Sequence, residues 1–126
     1  MTTKTYQHID RNTLKKKIDN KEKFYLWNVL SHEYFKPEMN IPGSLWIPVD
    51  HLAMKIERLN IRKDEEIVVY CGGTQCPQSK QAAEKLVELG YTNVYAYEGG
   101  IQDWKEAGYA LETLPEKSGG GCGRAH

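Results

Sequence analysis

No run of apolar residues in this chain approaches the roughly 18 that a membrane-spanning helix needs, and the opening MTTKTYQHID holds no apolar leader core. The protein is therefore expected in the cytoplasm, with no membrane partner. Net charge is missing as well: seventeen Lys and Arg offset seventeen Asp and Glu, which removes any overall electrostatic pull toward nucleic acid or anionic lipid. The basic excess near the start, with Lys15, Lys16 and Lys17 in a row, has no interleaved aromatics and reads as a solvated helix face. Small molecules or other proteins remain as partners. Cysteine is scarce: Cys71, Cys76 and Cys122 are too few and too unevenly spaced for a disulfide framework, and an odd count in a reducing compartment points to reactive or merely buried thiols. The histidines at 8, 32, 51 and 126 show no paired ligand spacing, so no metal site is expected. No internal repeat is visible.

What is present suits one domain. A chain of 126 residues, 40% of them hydrophobic, can bury a single core. Asp10 ahead of LKKKIDN reads as an N-cap and a short helix. FYLWNV (24–29), LWIPV (45–49), EIVVY (66–70) and VYAY (94–97) have strand length and composition. Between them SHEYF suits a brief helix, NIPGS a turn, and DHLAMKIERL a helix with Leu52, Ile56 and Leu59 on one face. An amphipathic helix from Pro77 to Leu89 ends at Gly90, and IQDWKEA makes a last one ending at Gly108. Alternation of helices with strands that are apolar on both sides predicts a parallel sheet covered by helices on both faces. The domain is read over 1–114, followed by a flexible Gly-rich tail, 115–126, that carries Cys122.

The chemistry concentrates in IVVYCGGTQCPQSK. In an open parallel sheet, ligands bind beyond the carboxyl ends of the strands, where Cys71 follows Tyr70. Gly72 and Gly73 permit the positive dihedrals that turn backbone N–H groups inward, and the next helix adds the positive end of its dipole. The amides of Gly72, Gly73, Thr74, Gln75 and Cys76 would then form an anion cradle, in which a thiol loses its proton more readily and becomes a nucleophile. The plain alternative is a buried structural cysteine.

VVYC before the loop, QAAEKLVELGYTNVYAYEGGIQDWKEAGYALE after it and IPGSLWIPVDHL upstream together resemble the rhodanese family, over about residues 8–112. The resemblance implies a five-stranded parallel α/β domain and a sulfurtransferase without cofactor. Its loop cysteine, here Cys71, would take sulfane sulfur from a small donor as a persulfide and pass it to a thiol, a protein thiol included, or to cyanide. Several family positions differ. The family loop commonly runs Cys, four residues, Arg; the same count from Cys71 reaches Cys76, and no Arg or Lys lies between Cys71 and Ser79. Anchored on Ala82 and Ala83, the family's Arg-Ser falls on Gln78-Ser79, so this loop is two residues longer. The family's Asp-Val-Arg reads Asn28-Val29-Leu30, and the His before Ile-Pro-Gly is Asn40.

Thiosulfate is accordingly expected to be a poor donor and low-charge persulfides better ones; Lys80 is the first cation in sequence after the cysteine. Pro77 favours the first helical position, which would make Cys76 the helix cap. There it could resolve the Cys71 persulfide or simply cap the helix. Cys122, on a tail reaching roughly 14–17 Å from residue 114, is a second relay candidate or an incidental thiol. The alternatives are a dithiol redox protein cycling a Cys71–Cys76 disulfide and a non-catalytic interaction module. A phosphatase or arsenate reductase is disfavoured by the loop's lack of cations.

Overall fold

Ile67, Val68, Val69 and Tyr70 form the central strand of the molecule, and all four are fully buried. Each such side chain withdrawn from water contributes about 1.5–3 kcal/mol. The computed structural model describes residues 6–31, 33–73 and 77–113. In chain order the elements are β1 (Gln7–His8), α1 (Arg11–Asp19), β2 (Tyr25–Asn28), β3 (Leu45–Trp46), α2 (Leu52–Leu59, led in by a 3-10 turn at Val49–His51), β4 (Ile67–Tyr70), α3 (Gln78–Glu88), β5 (Val94–Tyr97) and α4 (Gly100–Glu106). The strands form one five-stranded sheet in the order β1-β5-β4-β2-β3, every neighbouring pair parallel.

Chain reversals follow from this order. The steps from β3 to β4 and from β4 to β5 run one way across the sheet, and right-handed crossovers put α2 and α3 together on one face. The step from β1 to β2 runs the other way and puts α1 on the opposite face, where Arg11 pairs with Asp103 of α4. Asp10 caps α1 as its sequence suggests, its carboxylate accepting from the Thr13 amide at 2.9 Å. That bond holds its carboxyl below the ordinary carboxylate range.

Four details depart from the sequence reading. The fifth strand, β1, is a two-residue edge strand exposed on both sides, without apolar alternation to announce it. Pro48 follows closely on β3, which closes after Trp46. Within SHEYF, Glu33 and Tyr34 lie in a turn rather than a helix, with the Tyr34 and Phe35 amides both donating to the Ser31 carbonyl. Leu59, expected on the buried face of α2, stands exposed at its last position, where Asn60 ends the helix in a left-handed conformation.

Candidate active site

The carboxyl ends of β2, β4 and β5 converge on one cavity of about 920 Å³. Its described lining comes from three places: Leu30, Lys36 and Met39 beyond β2, Gly72, Gly73, Gln78 and Gln81 beyond β4, and Ile101, Gln102 and Lys105 on α4. Cys71 is not itself a lining residue: it is fully buried, one position before the lining pair Gly72 and Gly73, with Sγ 4.0 Å from the carbonyl oxygen of Gly73.

The cysteine loop is held from α4. Ile101 N donates to Cys71 O and Gln102 N to Gly72 O, each at 2.9 Å, so the first amides of α4, unpaired within their own helix, fix the loop's carbonyls. This approach demands Gly100, whose φ is +63° and which packs against the Cys71 and Gly72 backbone. The expectation that Gly72 and Gly73 supply positive dihedrals is not met: neither has positive φ, and that conformation falls on Gly100. A Cβ on Gly73 would lie 2.7 Å from Gln102 Oε1, the free end of an exposed side chain that can turn away. The helix α4 is anchored in turn by Asp103, which accepts from Tyr97 Oη at 2.7 Å and from Arg11 Nη1 at 3.1 Å. Burial, and then that bond to Asp103, push the Tyr97 phenol up, so it remains a neutral donor.

At the other side, α3 starts at Gln78 with Pro77 in the cap position, one residue later than the sequence suggests. Gln78 ties the loop to the end of β2: its Oε1 accepts from Ser31 N and its Nε2 donates to Ser31 Oγ, both at 3.1 Å. Ser79 is buried, and its Oγ has no hydrogen-bond partner. Thr74, Gln75, Cys76 and the tail with Cys122 lie outside the described residues. Among the described residues no cluster of three or more His, Cys, Asp or Glu could hold a metal. Two cations do reach the cavity wall, Lys36 and Lys105, whereas Lys80 does not line it.

The uncharged positions Asn28 and Asn40 prove to be one feature. Asn28 Nδ2 donates to Asn40 Oδ1 at 2.5 Å, Asn28 Oδ1 accepts from Leu30 N, and Asn40 Nδ2 donates to the carbonyls of Lys36 and Pro37. Both side chains are fully buried. Tyr70 completes the clamp, its hydroxyl accepting from Ile41 N at 3.0 Å and pairing with Ser44 Oγ at 2.8 Å. Burial pushes its phenol well up, which keeps it neutral. Together these bonds pin the segment that forms one cavity wall onto the ends of β2 and β4. Asn28→Asp would set a buried carboxylate against Asn40 Oδ1. We expect a loss of about 3–5 kcal/mol in urea unfolding, partly recovered by adding Asn40→His in a double-mutant cycle. A loss in the double variant equal to the sum of the two single losses would mean the two positions are uncoupled.

Fold and site define a parallel α/β domain that holds a buried thiol next to the glycines lining a cavity at the carboxyl end of its central strand. The Rhodanese-like domain family matches residues 10–107, and the chain belongs to that family. Among curated proteins it is similar to the tRNA uridine(34) hydroxylase of Photorhabdus laumondii, 28% identical over 107 residues that make up 81% of this chain and 29% of that protein. The chain spans less than a third of the length of the curated relatives it matches first. Among solved structures, the rhodanese-like domain of the Alr3790 protein of Anabaena sp. superposes with a TM-score of 0.74 at 22% identity, over 97% of this chain and 91% of that one. The human single-domain sulfurtransferase TSTD1 gives a TM-score of 0.62 at 24% identity, over 79% of this chain and 95% of that one. At such identities these two likenesses speak for the fold alone.

Proposed function

We propose that the protein is a sulfurtransferase that carries sulfane sulfur on Cys71. The observation that supports this most is that Cys71 directly follows β4 and precedes Gly72 and Gly73, which line the cavity. In the first half-reaction the Cys71 thiolate attacks the terminal sulfur of a persulfide donor, R–S–SH. The donor's S–S bond breaks, RS⁻ leaves, and Cys71–S–SH forms. In the second, a thiolate or cyanide attacks that terminal sulfur and Cys71 leaves as thiolate. Sulfane sulfur moves without net oxidation, so no electron carrier is called for. Backbone amides of the loop would stabilise the anionic sulfur, the role expected of Gly72 through Cys76.

A loop arginine would contribute charge-assisted hydrogen bonds to a compact oxyanion worth about 1.5–3 kcal/mol each. Lacking one, the protein should turn over thiosulfate with a kcat/KM at least about tenfold below that for an organic persulfide. Thiocyanate formation from each donor with cyanide as acceptor measures this, and equal rates would mean that another cation reaches the sulfur.

A second reading, a part in tRNA hydroxylation, is carried by the names of the curated relatives. Balanced charge argues against a strong hold on RNA. The two separate in one assay: hydroxylation supported by a chain that gains no sulfur from any donor would favour the second.

A further inference from the structure

The cavity lined by Gly72 and Gly73 is far larger than a sulfur atom or thiosulfate requires, and its volume of about 920 Å³ falls within the range of roughly 300–1,000 Å³ that holds organic ligands. Its lining has a distinct chemistry. Leu30, Met39 and Ile101 present apolar surface, the amides of Gln78, Gln81 and Gln102 are uncharged, and no Asp or Glu among the described residues takes part. The charged lining groups are Lys36 and Lys105, both exposed and neither ion-paired with a described residue.

Those lysines stand away from the reacting sulfur. Cys71 and Gly72 are bound by the first turn of α4, through Ile101 and Gln102. Lys105 lies in the last turn of that helix, about 5–6 Å further along its axis at 1.5 Å per residue. Lys36 comes from a different segment, beyond β2, whose backbone the Asn28–Asn40 pair fixes: Asn40 Nδ2 donates to the Lys36 carbonyl itself at 3.2 Å. Two cations thus border one cavity from two separately anchored walls, a cavity that Leu30, Met39 and Ile101 also line.

We propose that the donor taken here is an organic persulfide bearing two carboxylates on its carbon frame, whose frame packs on Leu30, Met39 and Ile101 while its carboxylates pair with Lys36 and Lys105. This rests on the sulfur-transfer reading above and adds the substrate class. It also alters the expectation of a low-charge donor: charge is absent beside the sulfur and present at the mouth. Thiosulfate, with all its charge next to the transferred atom, gains nothing from that arrangement. A dicarboxylate persulfide does, because its S–S bond and its anionic groups are separated by carbon.

The test compares loading of the full chain by two donors of similar size, the persulfide of mercaptosuccinate and that of the neutral thiol thioglycerol, in wild type and in Lys36→Gln/Lys105→Gln. Wild type should prefer the dicarboxylate donor by about fivefold in kcat/KM, expressed in KM, the size two solvent-shared ion pairs supply, and added KCl should erode the preference. The double variant should lose it. A second measurement needs no transfer: methylthiosuccinate, an unreactive thioether, titrated into Cys71→Ser should shift the amide resonances of Gly72, Gly73 and Gln102, and the two Lys→Gln changes should weaken that binding. Loading from the neutral donor with no dicarboxylate preference would overturn the inference and leave sulfur transfer standing. Lysine-dependent binding of the thioether without loading from either donor would sink sulfur transfer and leave the binding site.

Discussion

Replacing Cys71 by Ser should abolish sulfur transfer, lowering turnover by more than about a thousandfold, while the far-ultraviolet spectrum and cooperative unfolding persist. The change is nearly isosteric at a fully buried position, so its structural cost is that of burying a hydroxyl, about 1–3 kcal/mol at most. Its chemical cost is total. A serine hydroxyl stays protonated at neutral pH, and an oxygen–sulfur adduct is no carrier. Cys122→Ser, outside the described residues, should leave the first loading step unchanged. Loading that survives in Cys71→Ser would move the nucleophile elsewhere.

The second large effect is expected at a residue that takes no part in the chemistry. Gly100→Ala would place a methyl onto the Cys71 carbonyl oxygen, 2.8 Å from Gly73 N and 2.9 Å from the Gly72 carbonyl carbon. All three are backbone atoms, so no side chain can swing aside. The left-handed φ of +63° adds about 1–2 kcal/mol for any residue with a Cβ, and the overlap adds about 1–3 kcal/mol more. Urea unfolding should record a loss of roughly 2–5 kcal/mol. Because relief of the overlap must push the loop off α4, transfer should fall by about a hundredfold even where the chain remains folded. Gly43→Ala is the control: its φ of +86° imposes the same backbone strain, yet nothing lies within 4 Å of the added Cβ. It should lose stability and keep activity. Matching activities in the two variants would show that the α4 contact does not position the loop.

What could be read from the residues depended on range. The central strand was legible because IVVY is apolar on both faces, and Cys71 because a strand end before a glycine pair is local chemistry. The parallel sheet followed from alternation. Features made by distant contact were not legible. Gly100 gives no local sign that its missing Cβ is the space the Cys71 carbonyl occupies. Asn28 and Asn40 were visible one by one as uncharged replacements; only the fold brings them into a single hydrogen-bonded pair. Lys80 is near Cys71 in sequence but off the cavity, whereas Lys36 and Lys105 reach it from other segments. β1 escaped notice because two exposed residues pairing along β5 leave no periodicity.

The central claim, that Cys71 carries sulfane sulfur, is tested most directly by the intact mass of the full chain after incubation with a stoichiometric organic persulfide. The account predicts a gain of one sulfur atom per chain, mapped by peptide mass to Cys71 and removed by cyanide as thiocyanate. A mass that never rises, both in the wild type and in Cys76→Ala, which cannot resolve a persulfide into a disulfide, would contradict it.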